Sequence, residues 1–153
     1  MVQYPYMKYT IIVLSLILLL GAGCAVKPIN DSLNLSNQDL TSLPNNLLED
    51  TSITELDISN NQISGSLPSQ IGQLKNLRTL NASNNNFTGI PAEIGQLSNL
   101  EIINFSNNQL TGLPNELGNL TNLQILDLSG NKVSEIDLEA IRKALPKTTQ
   151  IIL

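Results

Sequence analysis

Side chains able to catalyse a reaction are scarce in this chain of 153 residues. It has no histidine and a single cysteine, so neither a Ser-His nor a Cys-His nucleophile pair can form. The carboxylates of Asp57 and Asp127 are predicted to lie three strands apart, ~14 Å, which is too far to share one ion or one proton. The formal net charge is −5 and no basic cluster occurs, which argues against nucleic-acid binding. The sequence therefore predicts no enzyme, no metal site and no cofactor.

Cys24 is the one residue for which the sequence predicts a modification. It follows the small residues GAG and, before them, the apolar run IIVLSLILLL, which is too short to span a bilayer comfortably and suits the core of a signal peptide. Small residues before a lone cysteine resemble a bacterial lipobox, although Gly21 stands where the usual box has leucine. That resemblance implies a signal peptide over residues 1–23 and a lipidated N-terminus with a short linker over residues 24–29. An ordinary cleaved signal with an incidental cysteine is the alternative.

The same resemblance predicts where the protein lies. A lipid on Cys24 would anchor the chain in a membrane of the cell envelope. Because Ala25 rather than Asp follows Cys24, resemblance to Gram-negative sorting rules favours the outer membrane if the source has one. The linker reaches no more than ~20 Å, so the remaining chain would lie close to that membrane.

A repeat supplies the elements that must position any binding surface. An eleven-residue frame, L-x-x-L-x-L-x-x-N-x-L, begins at Ile53, Leu77, Leu100 and Leu123, at intervals of 24, 23 and 23 residues. A fixed period of this length is the signature of a repeat architecture. The fourth and sixth positions are apolar, which predicts a short strand with one buried face. The second half of each unit carries a proline that ends the ladder and a glycine expected to permit a tight turn; these glycines are Gly72, Gly95 and Gly118.

Polar side chains recur at three further positions of the frame. The ninth position is asparagine, and we expect its amide to satisfy backbone groups where the chain leaves the strand; this ladder is Asn61, Asn85, Asn108 and Asn131. The fifth and seventh positions carry small polar residues that we predict to be exposed on the sheet. The fifth-position residues are Asn34, Asp57, Asn81, Asn104 and Asp127. The seventh-position residues are Ser36, Ser59, Ser83, Ser106 and Ser129.

This frame resembles that of the leucine-rich repeat family over residues 30–153. The 24-residue unit is similar to the plant-type subclass and the 23-residue units to the typical subclass. The resemblance implies an α/β fold: a right-handed solenoid with a parallel β-sheet on the concave face and short irregular or 3-10 segments on the convex face. Residues 30–153 would form one domain of about five repeats plus a terminal strand. Residues 30–52, a degenerate first repeat, are predicted to be the N-terminal cap.

After the last frame the pattern changes to that of a helix. The segment SEID, residues 134–137, is similar to a capping box and predicts a helix start. Apolar residues then recur on one helical face, namely Leu138, Ile141 and Leu145. Pro146 ends this C-terminal capping helix. Residues 148–153 are predicted to form a final strand with Ile151 and Leu153 facing inward.

The third frame position suggests where a partner binds. It changes from polar residues to Ile102 and Ile125, and the final strand adds Ile152, so an apolar strip is predicted at the C-terminal end of the concave face. The candidate protein-binding residues are Ile102, Ile125, Ile152, Asn104 and Asp127. The sequence thus predicts a membrane-anchored protein-binding scaffold, with self-association through the C-terminal edge strand as an additional mode. The alternatives are ordinary surface isoleucines, an adhesive or structural envelope component without one ligand, and an accessory or inhibitory module of an envelope enzyme.

Overall fold

The computed structural model describes residues 31–43 and 47–153. The predicted signal peptide, Cys24 and the linker lie outside the described residues. Among the described residues, no helix has the length and apolarity that crossing a bilayer requires.

Six three-residue strands form one parallel sheet, as the repeat predicts. They are β1 (Ser32–Asn34), β2 (Glu55–Asp57), β4 (Thr79–Asn81), β6 (Ile102–Asn104), β7 (Ile125–Asp127) and β8 (Gln150–Ile152), in the spatial order β1-β2-β4-β6-β7-β8. The frame is kept in register throughout, since fourth-position residues pair with one another: Leu56 with Leu80, for example. The outward side of this sheet is the concave face.

The inward side of the sheet carries a continuous apolar core. The fourth-position leucines and isoleucine of β2, β4, β6 and β7 are at most 1% exposed, and burying each such side chain contributes about 1.5–3 kcal/mol. Phe87 and Phe105 meet edge to face in this core, with ring centroids 5.7 Å apart and an interplanar angle of 72°. The solenoid is therefore filled by its own repeated leucines rather than by a ligand.

The convex side is built from four short 3-10 helices: Leu47–Glu49, Ser69–Gln73, Ala92–Gln96 and Asn115–Asn119. Gly72, Gly95 and Gly118 lie in the last three, where the backbone turns tightly with i→i+3 bonds such as Leu74 N to Ile71 O at 3.1 Å. None of the three glycines has a positive φ. A Cβ on Gly72 would lie 2.9 Å from Glu93 Cβ, and one on Gly118 would lie 2.5 Å from Ala144 Cβ. These glycines also allow successive convex segments to stack closely.

The 24-residue unit produces a local irregularity. Its convex side adds a small second sheet, in which β3 (Ser64–Ser66) pairs in parallel with β5 (Asn86–Gly89). The register shifts between Gly65 and Ser66, and Gly65 adopts φ +82°. Left-handed backbone of this kind suits glycine. The residue left unpaired by the register shift is Thr88 on β5, which forms a bulge opposite Gly65 and Ser66.

The C-terminal end follows the sequence prediction except at its last residue. Helix α1 (Glu135–Ala144) begins after Ser134, whose side chain accepts a hydrogen bond from Asp137 N at 3.4 Å. The Asp137 carboxylate does not return to the cap, because its Oδ2 accepts from Leu113 N of the preceding repeat at 3.2 Å. Ile151 packs against the core, but Leu153 is 59% exposed. Its predicted inward position is wrong, since β8 ends at Ile152 and no described repeat covers the next residue.

Candidate functional site

The ninth-position amides join each repeat to the one before it. Asn108 Nδ2 donates to the carbonyls of Ala82 and Phe105, both at 3.0 Å, and to that of Ser106 at 3.2 Å. Its Oδ1 accepts from Phe87 N at 2.9 Å. Asn108 is buried, so the buried backbone groups at the end of the strand obtain partners that water cannot supply.

The same arrangement recurs along the solenoid. The Oδ1 atoms of Asn85 and Asn131 accept from the preceding repeat's eleventh-position amide at 3.1 and 2.9 Å. In the degenerate first repeat Gln38 occupies the ninth position, and Asn61 Oδ1 accepts from both Gln38 N and Leu40 N at 3.0 Å. The ladder is thus a structural element and supplies no free polar group to the concave face.

Two further columns were missed by sequence reasoning. The eighth-position residues all have positive φ, between 54° and 73°; they are Asn37, Asn60, Asn84, Asn107 and Gly130. Asparagine and glycine are the residues that tolerate this conformation, so the repeated Asn-Asn and Gly-Asn pairs were the available signal. A second amide column precedes the frames at Leu77, Leu100 and Leu123. Its members Asn76, Asn99 and Asn122 donate to carbonyls of the preceding repeat at 2.9, 2.9 and 2.7 Å.

The fifth-position side chains on the concave face hold the turn that follows each strand. Asn104 Oδ1 accepts from Ser106 N at 2.9 Å and from Ser106 Oγ at 2.7 Å. Asp127 Oδ1 binds Ser129 in the same way, at 2.9 and 2.7 Å. No hydrogen bond among the described residues uses Asn104 Nδ2 or Asp127 Oδ2, so these two atoms remain available to a ligand.

The seventh-position serines lie beneath those side chains. Ser106 is 8% exposed, and the predicted exposure is also wrong for Ser59 and Ser83, which are buried too. The physical reason is the left-handed eighth residue, which turns the chain inward immediately after the serine. The exposed part of the concave face is therefore formed by the third and fifth positions.

The predicted apolar residues lie together at the C-terminal end of that face. Ile102 on β6 and Ile125 on β7 are register partners, on strands about 4.8 Å apart. Ile152 on β8 pairs with Asp127, so it lies diagonally across from Ile125. All three isoleucines are half-buried, and together they are called the isoleucine strip below.

A polar row borders the isoleucine strip. Arg78 Nη1 contacts Glu101 Oε1 at 2.6 Å, and Gln124 Nε2 donates to Glu101 Oε2 at 3.2 Å. These second-position residues run parallel to the strip across β4, β6 and β7. An apolar centre with a polar margin is the usual composition of a protein-binding surface.

The carboxyl groups give no sign of acid–base or metal chemistry. Hydrogen bonds from the Ser52 hydroxyl and amide lower the pKa of Asp50, and the hydrogen bond and charge of Lys143 lower the pKa of Glu139. Both groups lie away from the isoleucine strip. In the described part of the chain, no group of three or more His, Cys, Asp or Glu side chains is placed to hold a metal ion.

Parallel strands on one face, 3-10 helices on the other and an asparagine ladder between them define a class of solenoid proteins. The chain belongs to the leucine-rich repeat family, since the family model of the leucine-rich repeat region matches residues 32–151. No curated protein sequence matches it.

Three solved structures illustrate the likeness. A leucine-rich repeat protein of Leptospira interrogans has 41% identity and a TM-score of 0.72, and the match covers 80% of this chain and 31% of that one. The ectodomain of the receptor kinase SOBIR1 from Arabidopsis thaliana has 29% identity and a TM-score of 0.63, covering 78% and 65%. The BIR3–SERK2 complex of Arabidopsis thaliana has 38% identity and a TM-score of 0.62, covering 67% and 57%. The chain therefore spans about a third of the length of its Leptospira relative.

Proposed function

We propose that this chain is a protein-binding scaffold, held at a membrane of the cell envelope by a lipid on Cys24. The family supports the binding role, since one of the similar structures is a complex of BIR3 with SERK2. The motif GAGC after an apolar run supports the anchor. The same proposal includes association of two copies at the outer edge of β8. No catalytic role is proposed.

The observation that carries the proposal is the isoleucine strip. At the third position of the frame, the neighbouring residues Ile102 and Ile125 are apolar, whereas every other described residue is polar. These polar residues are Ser32, Glu55, Thr79 and Gln150. A partner that covers the half-exposed part of Ile102 and Ile125 gains about 1 kcal/mol from each by removing apolar surface from water. The free polar atoms Asn104 Nδ2 and Asp127 Oδ2 beside the strip fix the orientation of the bound partner.

The test is capture of partners from an envelope extract with the double variant Ile102→Asp/Ile125→Asp. Two carboxylates on the strip must be desolvated on binding, so we expect at least a hundred-fold weaker capture. The matched control is Ser32→Asp/Thr79→Asp, which places the same charges at the same frame position on β1 and β4. Equal capture by both double variants would exclude the strip as the binding surface.

The same experiment separates the competing functions. A single stoichiometric partner favours the scaffold proposed here. A diffuse set of captured proteins favours an adhesive or structural role, and an enzyme whose activity changes on binding favours an accessory or inhibitory module. In each case, loss of capture in the isoleucine variant and not in the control assigns the binding to the strip.

A further inference from the structure

The fifth position of the frame is filled by asparagine in some repeats and by aspartate in others, and the two residue types make the same hydrogen bond. Asn104 Oδ1 and Asp127 Oδ1 each accept from the backbone amide two residues later, at 2.9 Å. On β2, Asp57 Oδ1 makes this bond too, also at 2.9 Å. Because a neutral amide oxygen holds the turn as well as a carboxylate does, the fold does not require the negative charges of Asp57 and Asp127.

No described residue neutralises these two charges. The six strands of the main sheet carry no basic residue, and Arg78, which borders the sheet, is paired with Glu101 at 2.6 Å. The other ion pairs among the described residues join basic side chains of α1 to carboxylates of the same helix. Within that part of the chain, no hydrogen bond uses Asp57 Oδ2 or Asp127 Oδ2, so each carboxylate has one oxygen available to a ligand.

The two carboxylates lie close to the isoleucine strip, in different directions from it. Asp127 follows Ile125 on β7, two residues and ~7 Å along the strand. Asp57 lies on β2, which is separated from Ile102 on β6 only by β4, so these two strands are ~10 Å apart. A bound segment whose apolar side chains cover the strip therefore brings residues about two to four positions away opposite the carboxylates, at ~3.3 Å per extended residue.

We propose that the partner of the isoleucine strip is a basic protein segment, in which apolar side chains are flanked by lysine or arginine. The inference rests on the proposed function and adds the chemical class of the partner to it. Apolar side chains of the segment cover Ile102 and Ile125, and its cationic groups bind Asp57 Oδ2 and Asp127 Oδ2. Each of these contacts is a charge-assisted hydrogen bond, which is stronger than the neutral bond that asparagine at the same position would give.

The complementary charge is that of a side chain rather than of a metal ion. A calcium ion takes about six to eight oxygen ligands at one point, whereas Asp57 and Asp127 lie three strands and ~14 Å apart. One lysine or arginine needs only one carboxylate, and its aliphatic stem packs well on apolar surface such as the strip. The net charge of −5 on the chain also attracts a basic partner and repels nucleic acid and anionic lipid.

Three synthetic peptides test the charge of the partner. They share a central Ile-Ser-Ile, and the residues on both sides of it are lysine, glutamine or glutamate. Their binding to the full chain is measured by fluorescence anisotropy at ~0.05 M salt, where exposed charges are weakly screened. We expect the lysine peptide to bind about five-fold more tightly than the glutamine peptide, because each of the two partly exposed ion pairs contributes roughly two- to three-fold. The glutamate peptide should bind most weakly. Equal affinities, or no binding of the lysine peptide at ~1 mM, would overturn the proposal.

The double variant Asp57→Asn/Asp127→Asn removes both charges and keeps the turn, because asparagine makes the same bond at Asn104. We expect it to lower the affinity for the lysine peptide to that for the glutamine peptide, with an unchanged unfolding midpoint. The matched control is Glu49→Gln/Glu116→Gln, which removes two charges from exposed side chains of the convex 3-10 helices and should leave the preference for lysine intact. An equal loss of preference in both double variants would mean that the peptide responds only to net charge, and would contradict the proposal.

The double variant Ile102→Thr/Ile125→Thr separates this inference from the proposed function. It removes apolar surface without adding charge, and Thr79 already occupies the same frame position on β4. We expect the lysine and glutamine peptides to bind it more weakly, while the preference for lysine is kept. If the threonine variant weakens binding but the wild-type chain shows no preference for lysine, the basic partner is rejected and the scaffold stands. If the threonine variant binds every peptide as the wild-type chain does, the strip is not the binding surface and both proposals are rejected.

Discussion

The substitution Asn108→Ala provides the sharpest test of how the solenoid is held together. It removes an Nδ2 that donates to three carbonyls and an Oδ1 that accepts from Phe87 N. The Ser106 carbonyl keeps a second donor, Asn84 N at 2.9 Å. The Ala82 and Phe105 carbonyls also keep a donor, Asn85 Nδ2 at 3.3 Å and Asn131 Nδ2 at 2.8 Å. Among the described residues, the Phe87 amide is therefore the one group that loses its hydrogen-bond partner.

A buried group without a partner costs about 1–3 kcal/mol. Asn108→Ala leaves the Phe87 amide without this partner and removes one of two donors from each of the three carbonyls, so we expect it to reduce the free energy of unfolding by about 2 kcal/mol. For a domain of this size, that is a fall of roughly 5–10 °C in melting temperature. Urea titration followed by circular dichroism gives the free energy independently.

The matched control is Asn122→Ala, which makes the same chemical change at an exposed position. Asn122 donates one hydrogen bond, to Ser98 O at 2.7 Å, and water can replace it, so the expected cost is at most about 1 kcal/mol. Equal destabilisation by the two variants would refute the reasoning, because burial of the ladder would then have no energetic consequence.

Three further predictions follow from other parts of the molecule. Cys24→Ala is expected to abolish incorporation of labelled palmitate, and unchanged labelling would exclude the anchor. Gly95→Ala should reduce the free energy of unfolding by about 1–3 kcal/mol through overpacking, since a Cβ there would lie 2.8 Å from a side-chain carbon of the next 3-10 helix. Gly112→Ala is the control. The atom nearest to its Cβ would be 3.4 Å away, so the free energy of unfolding should change by less than about 0.5 kcal/mol. Ser106→Ala should cost about 1 kcal/mol by removing the buried bond to Asn104, and a thermal melt that matches wild type would contradict this.

The parallel sheet and its register could be predicted from the sequence because the frame repeats at a fixed interval. Once Leu56, Leu80 and Ile103 occupy the same position of the frame, stacking makes each the neighbour of the next. The neighbours at every other position of the frame follow in the same way. For the same reason, the sequence alone places Ile102 and Ile125 side by side. The start of the helix after Ser134 could also be predicted, because it depends only on residues close together in the chain: the capping side chain and the apolar residues of one helical face.

The features that were missed depend on the backbone turn after each strand and on contacts between repeats. Ser106 reads as an outward residue when one strand is considered alone, and only the left-handed turn at Asn107 buries it. The role of Gly118 depends on Ala144, 26 residues away in the chain, because α1 packs where the next convex segment would lie. The repeat pattern does not predict which partner binds, because packing in the core does not constrain which side chains occupy the concave face.

The arrangement of neighbours along the solenoid also determines how the molecule responds to force. Each described strand or helix that contacts another element does so within its own layer or with the adjacent repeat, so tension between the two ends loads the interfaces in series. The terminal unit then detaches without disturbing the rest, and each unit of 23 residues releases roughly 80 Å of extended chain at ~3.5 Å per residue. A chain tethered at one end and bound at the other would lengthen in steps of this size, so a load on its partner is absorbed by one repeat at a time.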